Sequence, residues 1–152
     1  MVRAIAGVIV AYLVMAMVTV VAFFGLYAVV GVDGAFREGT YEPSPVWIAC
    51  SVVIGVAAAL LGGALCALIG RSKRAAQVLA ALLLVFGLAY AAGSLKGPQE
   101  VVVRPADVPA MEAMQNARTP AWMGVLNALI GATGVMVGAT MVLKKRDSGA
   151  KS

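Results

Sequence analysis

Two thiols, seven carboxylates and no imidazole make up most of this sequence's stock of nucleophiles, acid–base groups and metal ligands. Without histidine the chain lacks the usual neutral-pH proton carrier and the commonest metal ligand. The thiols, Cys50 and Cys66, stand 16 positions apart, which on one helix separates them by roughly 24 Å at 1.5 Å per residue, too far for a disulfide. No charged neighbour in the surrounding apolar run would stabilise a thiolate, so Cys66 reads as a packing residue. Met111 and Met114 are two thioethers without a third ligand and do not make a copper site. No catalytic, cofactor or metal residues are therefore expected, and the chain does not read as an enzyme.

The elements around these residues explain the poverty of chemistry. Of 152 residues 62% are hydrophobic and 12% charged, with a mean hydropathy of +0.95, against about 25% charged in ordinary soluble domains. The apolar residues fall into four blocks, 4–32, 46–69, 75–95 and 121–143, and no Asp, Glu, Lys or Arg interrupts any of them. Each is long enough to cross about 30 Å of hydrocarbon. The first, at 29 positions, exceeds the apolar core of a cleaved signal peptide and reads as a retained span that tilts or projects beyond the bilayer. A backbone in lipid must satisfy its own hydrogen bonds, and the alternation of barrel strands is missing. The expected fold is a single all-α domain: an up-down-up-down transmembrane four-helix bundle. The turn at 70–74 is short enough to make spans two and three antiparallel neighbours.

Basic residues set the expected orientation. One side receives Arg3, Arg71, Lys73, Arg74, Lys144, Lys145, Arg146 and Lys151; the other receives Arg37, Lys96, Arg104 and Arg118. Eight against four places the first side, with both termini, in the cytoplasm. The net charge of +5 lies in clusters flanking apolar blocks, without interleaved aromatics, so the implied partner is an anionic lipid headgroup rather than nucleic acid. Trp47 and Trp122 sit one residue inside the outer ends of spans, with Tyr27, Tyr41 and Tyr90 near that level, and read as interface anchors.

Between the spans, Gly34 and Gly39 mark turns in the loop 33–45, Ser44 and Pro45 form a helix start, and Phe36 and Tyr41 are expected on the headgroup layer. In the longer loop 96–120, Val101 to Val103 suggest an extended stretch ended by Arg104 and Pro105. A short interfacial helix is expected over 109–117, with Met111, Met114 and Arg118 on one face. That helix is expected to lie on the bundle's outer end; the alternative is that the loop serves as a lid or as a docking site for a periplasmic partner.

Inside the spans the informative residues are small. Ser51, Gly55, Ala59 and Gly63 fall at steps of four in span two; Gly131, Gly134 and Gly138 line span four. Lipid offers no hydrophobic reason for helices to associate, so close approach across small residues takes its place. The two spans are expected to pack in parallel along these rows, joined by a hydrogen bond between Ser51 and Asn127. The same rows would alternatively serve a homodimer. The absence of intramembrane charge argues against proton- or voltage-driven transport.

The run AFREGTYEPSPVWI at 35–48, continued by GGALCALIGR at 62–71, resembles small four-span bacterial inner-membrane proteins of no assigned activity. The likeness covers mainly 1–95 and departs in the longer second outer loop. It implies a bacterial inner membrane and carries over no functional residue. The sequence leads to a non-enzymatic accessory, scaffold or interaction component with a membrane-protein partner; the alternative is a small oligomeric channel or a lipid or solute carrier.

Overall fold

A computed structural model describes residues 2–95, 103–105 and 107–149. Five helices follow one another: α1 Val2–Ala35, α2 Pro45–Gly70, α3 Lys73–Ser94, α4 Ala110–Gln115 and α5 Ala121–Gly149. All but α4 are long and apolar enough to cross a bilayer. The chain is a multi-pass membrane protein built as an all-α four-helix bundle, with no strand among the described residues and one isolated bridge, Phe36 to Pro43.

Local signals place the ends. The Ser44 hydroxyl accepts from the Trp47 amide at 3.1 Å, and Pro45 occupies the first turn of α2, where its missing N–H costs nothing. At the other end Arg71 adopts a left-handed conformation (φ 50°) and its N–H reaches the Ala67 carbonyl. Ser72 then caps α3 by accepting from the Arg74 amide at 3.1 Å. Only two residues thus separate α2 from α3. Helix α1 is interrupted at Gly31, whose φ of 67° and ψ of −172° are not helical. The continuous helix therefore ends at Val30, roughly 43 Å from its start, and a kink separates it from the last residues up to Ala35. Helix α5 continues about a turn and a half past the expected end at 143, into the basic tail.

Around the bundle the order is α1, α2, α5, α3, with α1 and α3 making little contact. The short turn leaves α2 and α3 antiparallel and touching, as expected, but with little contact between them. They meet near the turn, where a side chain on Gly70 would meet Ala75 Cβ at 2.9 Å, and the main partner of each is α5. Small residues on two sides of α5 admit both. A Cβ at Gly63 of α2 would stand 2.7 Å from the Val135 carbonyl carbon, and one at Gly138 would stand 2.9 Å from that of Leu60. On its other side, Gly124 packs on Ala91 of α3. The core, with Cys66, Leu79 and Val135 fully buried, fills the middle of the bundle and the half toward the basic residues.

A second cluster forms outside the bundle. Tyr27, Ala35, Phe36, Tyr41 and Ala113 are buried together, with Trp47 and Val108 packed against them. The two loops on this side are stitched by backbone bonds from Arg104 N–H to Gly39 O and from Arg118 N–H to Tyr41 O. Phe36 and Tyr41 do not lie on the headgroup layer as expected: they face each other edge to face at 6.3 Å inside this cap. Pairing across the Phe36–Pro43 bridge turns both rings inward. The short helix spans 110–115 rather than 109–117, and its buried face is Ala113; Met111 is exposed, while Met114 and Arg118 line one small pocket. Of the expected extended stretch, Val101 and Val102 lie outside the described residues.

Candidate functional site

Small residues bring α2 and α5 together, and the same economy of side chains opens a space beside them. In the half of the bundle nearer the loops, a crevice of about 380 Å³ is lined by all four long helices. From α1 it takes Tyr12, Met15, Thr19 and Phe23, which share a face at steps of three and four. From α2 it takes Ser51, Gly55, Ala58 and Ala59. Leu83, Phe86, Gly87 and Tyr90 come from α3, and Gly124, Asn127, Ala128 and Gly131 from α5. Of the helices adjacent around the bundle, α1 and α3 touch least, which places the opening between them, and Tyr12, Phe86 and Tyr90 are 42%, 58% and 60% exposed along its rim.

The polar groups of the lining are spread along its depth. Counting from the helix ends at 1.5 Å per residue, Tyr90 lies roughly 6 Å, Ser51 and Asn127 roughly 9 Å and Thr19 roughly 16 Å below the loop end. The Tyr12 hydroxyl adds a polar group at the deeper end, among apolar residues that include Met15, Leu83, Ala58 and Ala59. No charged side chain lines the crevice. Its groups can donate or accept hydrogen bonds, but they have no acid–base pair to drive a reaction.

The residues singled out in the sequence fall in different places. Ala59, Gly63, Gly134 and Gly138 lie in the contact between α2 and α5. Gly55 and Gly131 line the crevice instead, and a Cβ at Gly131 would meet only the Leu83 side chain of α3, at 3.5 Å. Ser51 and Asn127 do share one depth and one crevice, yet the expected bond between them is not formed. The Ser51 hydroxyl donates back to the Trp47 carbonyl at 2.7 Å, and the Asn127 residue is exposed. A hydroxyl that shares the carbonyl one turn back is satisfied within its own helix, which removes the need for a partner across the gap.

Above the crevice Trp47 makes two aromatic contacts. Its ring stacks at a tilt on Phe23 (5.5 Å) and edge-on against Tyr27 (6.0 Å), closing the seam between α1 and α2 under the cap. Trp122 is 53% exposed at the start of α5. The Tyr27 hydroxyl donates to the Ala110 carbonyl at 3.1 Å and so ties α4 onto the bundle. Arg104 is buried, with one guanidinium nitrogen 3.0 Å from the Asp33 carboxylate, whose side chain is exposed. Its Nε and Nη1 have no hydrogen-bond partner.

Sequence reasoning missed Tyr12, whose single polar group on an apolar helix gave no sign that its face lines a gap. It also missed the pairing of Arg104 with Asp33, 71 positions away. Of the two thiols, Cys66 is fully buried and Cys50 is partly exposed. Among the described residues no three His, Cys, Asp or Glu side chains come together. Comparison of the chain with protein-family models, with curated proteins and with solved structures finds no match to any of them.

Proposed function

We propose that this protein is a non-enzymatic interaction component of a bacterial inner membrane, its termini cytoplasmic, whose partner within the bilayer is a lipid lodged in the crevice. The support is the crevice itself. It lies at hydrocarbon depth, it is open sideways between α1 and α3, and its size falls in the range of small-molecule sites. Water is a poor occupant of a mostly apolar space surrounded by lipid, whereas an acyl chain is available there at high concentration. The uncharged Tyr90 and Asn127 toward the loop end suit the ester or hydroxyl region of such a molecule, with its chain running inward past Thr19, Leu83 and Met15. The cytoplasmic placement of the termini rests on the eight-to-four distribution of basic residues.

This reading favours a lipid-binding component over a homodimer built on the small-residue rows, because Gly63, Gly134 and Gly138 are spent inside the bundle. The test is labelling by a photoactivatable acyl lipid in bilayer nanodiscs. Gly55→Leu with Gly131→Leu fills the crevice without meeting backbone, and labelling of the peptides lining it should fall about tenfold, equivalent to 1.4 kcal/mol. Val53→Leu, on an exposed face of α2, should leave labelling unchanged. Equal labelling of the filled and native proteins overturns the proposal.

A further inference from the structure

A second groove lies on the same seam, at the basic end. Its walls are Ala4, Ile5, Val8 and Ile9 of α1 and Ala75 and Val78 of α3, it measures about 210 Å³, and its one charged lining residue is Arg74. Here α1 and α3 do approach each other, since Ala4 and Val8 pack against the core that contains Ala75. Arg3, Arg71, Lys73 and Arg74 are all exposed at this end of the two helices. No acidic residue occurs in 1–32 or in 43–99.

We infer that this groove binds one anionic phospholipid of the leaflet on the basic side, its acyl chain along the apolar walls and its phosphate on Arg74. Charge complementarity selects the occupant. A zwitterionic lipid would bring an ammonium group to a patch to which 1–32 and 43–99 contribute no carboxylate. A second copy of the chain docking through the same groove would oppose cation to cation. An inorganic phosphate would satisfy Arg74 and leave the walls uncovered. A guanidinium fork matches a phosphate's oxygens, and the apolar groove that Arg74 borders supplies the direction for the chain. The Ser72 hydroxyl, accepting from the Arg74 amide, fixes the backbone that carries this side chain at the start of α3. The inference stands apart from the crevice, whose lining includes none of these residues.

Native mass spectrometry of the full-length protein, exchanged from detergent into phosphatidylglycerol or phosphatidylcholine of identical chains, tests it. The protein should retain phosphatidylglycerol in preference. Arg74→Gln should reduce that retention about fivefold, the effect of one basic residue at an anionic surface. Val78→Phe, which narrows a groove at an already exposed position, should reduce it while leaving the charge intact. Lys145→Gln on α5 should change little. Equal retention of the two lipids overturns the inference, as does an equal loss from Lys145→Gln and Arg74→Gln, which would mean diffuse attraction. Displacement of the lipid by millimolar inorganic phosphate would also overturn it, by showing that the chain contributes nothing. None of these variants touches Gly55 or Gly131, so failure here is separable from failure of the crevice proposal.

Discussion

The bundle and the cap are held by opposite devices. Between α2 and α5 the contact is made by removing side chains, so that Gly63 lies against Val135 backbone and Gly138 against Leu60 backbone. In the cap the contact is made by large rings: Phe23, Tyr27 and Trp47 in one group, Phe36 and Tyr41 in another. The difference follows from the surroundings. In hydrocarbon a large apolar side chain gains little by leaving lipid for protein, and dispersion between closely packed backbones decides the association. Near water, burying an aromatic ring is favourable in itself, and Tyr27 and Trp47 carry polar groups suited to that level.

The sharpest way to break this contrast is Gly63→Leu. The obstacle is Val135 backbone, which cannot rotate aside, so α2 and α5 must separate. A loss of about 3 kcal/mol or more is expected, read as a large drop in the thermal midpoint in detergent or as failure to fold. Near-native stability would show that the helices are not in close contact. In the cap, Trp47→Ala removes a half-buried ring and its contacts with Phe23 and Tyr27, at an expected cost of about 2 kcal/mol. Faster protease cleavage in the loops 33–45 and 103–120 should accompany it, whereas Gly63→Leu acts on the bundle. If Trp47→Ala leaves both midpoint and cleavage unchanged, the rings do not hold the cap.

A smaller effect is expected where the cap's own design is least satisfied. Arg104 is 8% exposed, and two of its side-chain nitrogens have no partner, while Asp33 keeps its carboxylate in solvent. Removing a desolvated, half-paired cation and substituting an apolar side chain of similar length is often neutral or favourable. Arg104→Met should therefore shift stability by no more than about 1 kcal/mol in either direction, since the backbone bond to Gly39 survives. A loss matching that of Trp47→Ala would make the ion pair, and not the rings, the closure of the cap.

How much of this was legible in the sequence depends on which force wrote it. The four spans were visible because hydrocarbon imposes one requirement on every position along a helix. The Ser44–Pro45 start was visible because capping is local. The packing order was not: Gly55, Gly63 and Gly131 are the same residue type, and only the tertiary arrangement decides which meets backbone and which borders a void. Nor was the inward turn of Phe36 and Tyr41 visible, since rings at the membrane surface and rings in a small folded cap share one composition. The break at Gly31, which frees the end of α1 to join the cap, looks in the sequence like any other glycine in a span.

The smallest expected effect is the most telling, because it reverses what the glycine repeat of the fourth span suggests. Read as a row, Gly131, Gly134 and Gly138 should behave alike, and a leucine at Gly131 should force two backbones apart. A Cβ there meets only Leu83 Cδ1 at 3.5 Å and Leu83 Cβ at 3.8 Å, ordinary van der Waals contact, with the crevice beside it to take the rest of the side chain. Gly131→Leu alone should therefore change stability by no more than about 0.5 kcal/mol, helped by the better helix propensity of leucine. Asn127→Leu should be equally mild, because no bond to Ser51 is lost and interhelical hydrogen bonds in membranes average only about 0.6 kcal/mol. Thermal unfolding of Gly131→Leu beside Gly63→Leu in one detergent decides the matter. A wide gap between the two midpoints means that α2 and α5 close over the basic half and diverge around the crevice, while equal losses would mean that the crevice is filled by protein and that no lipid enters it.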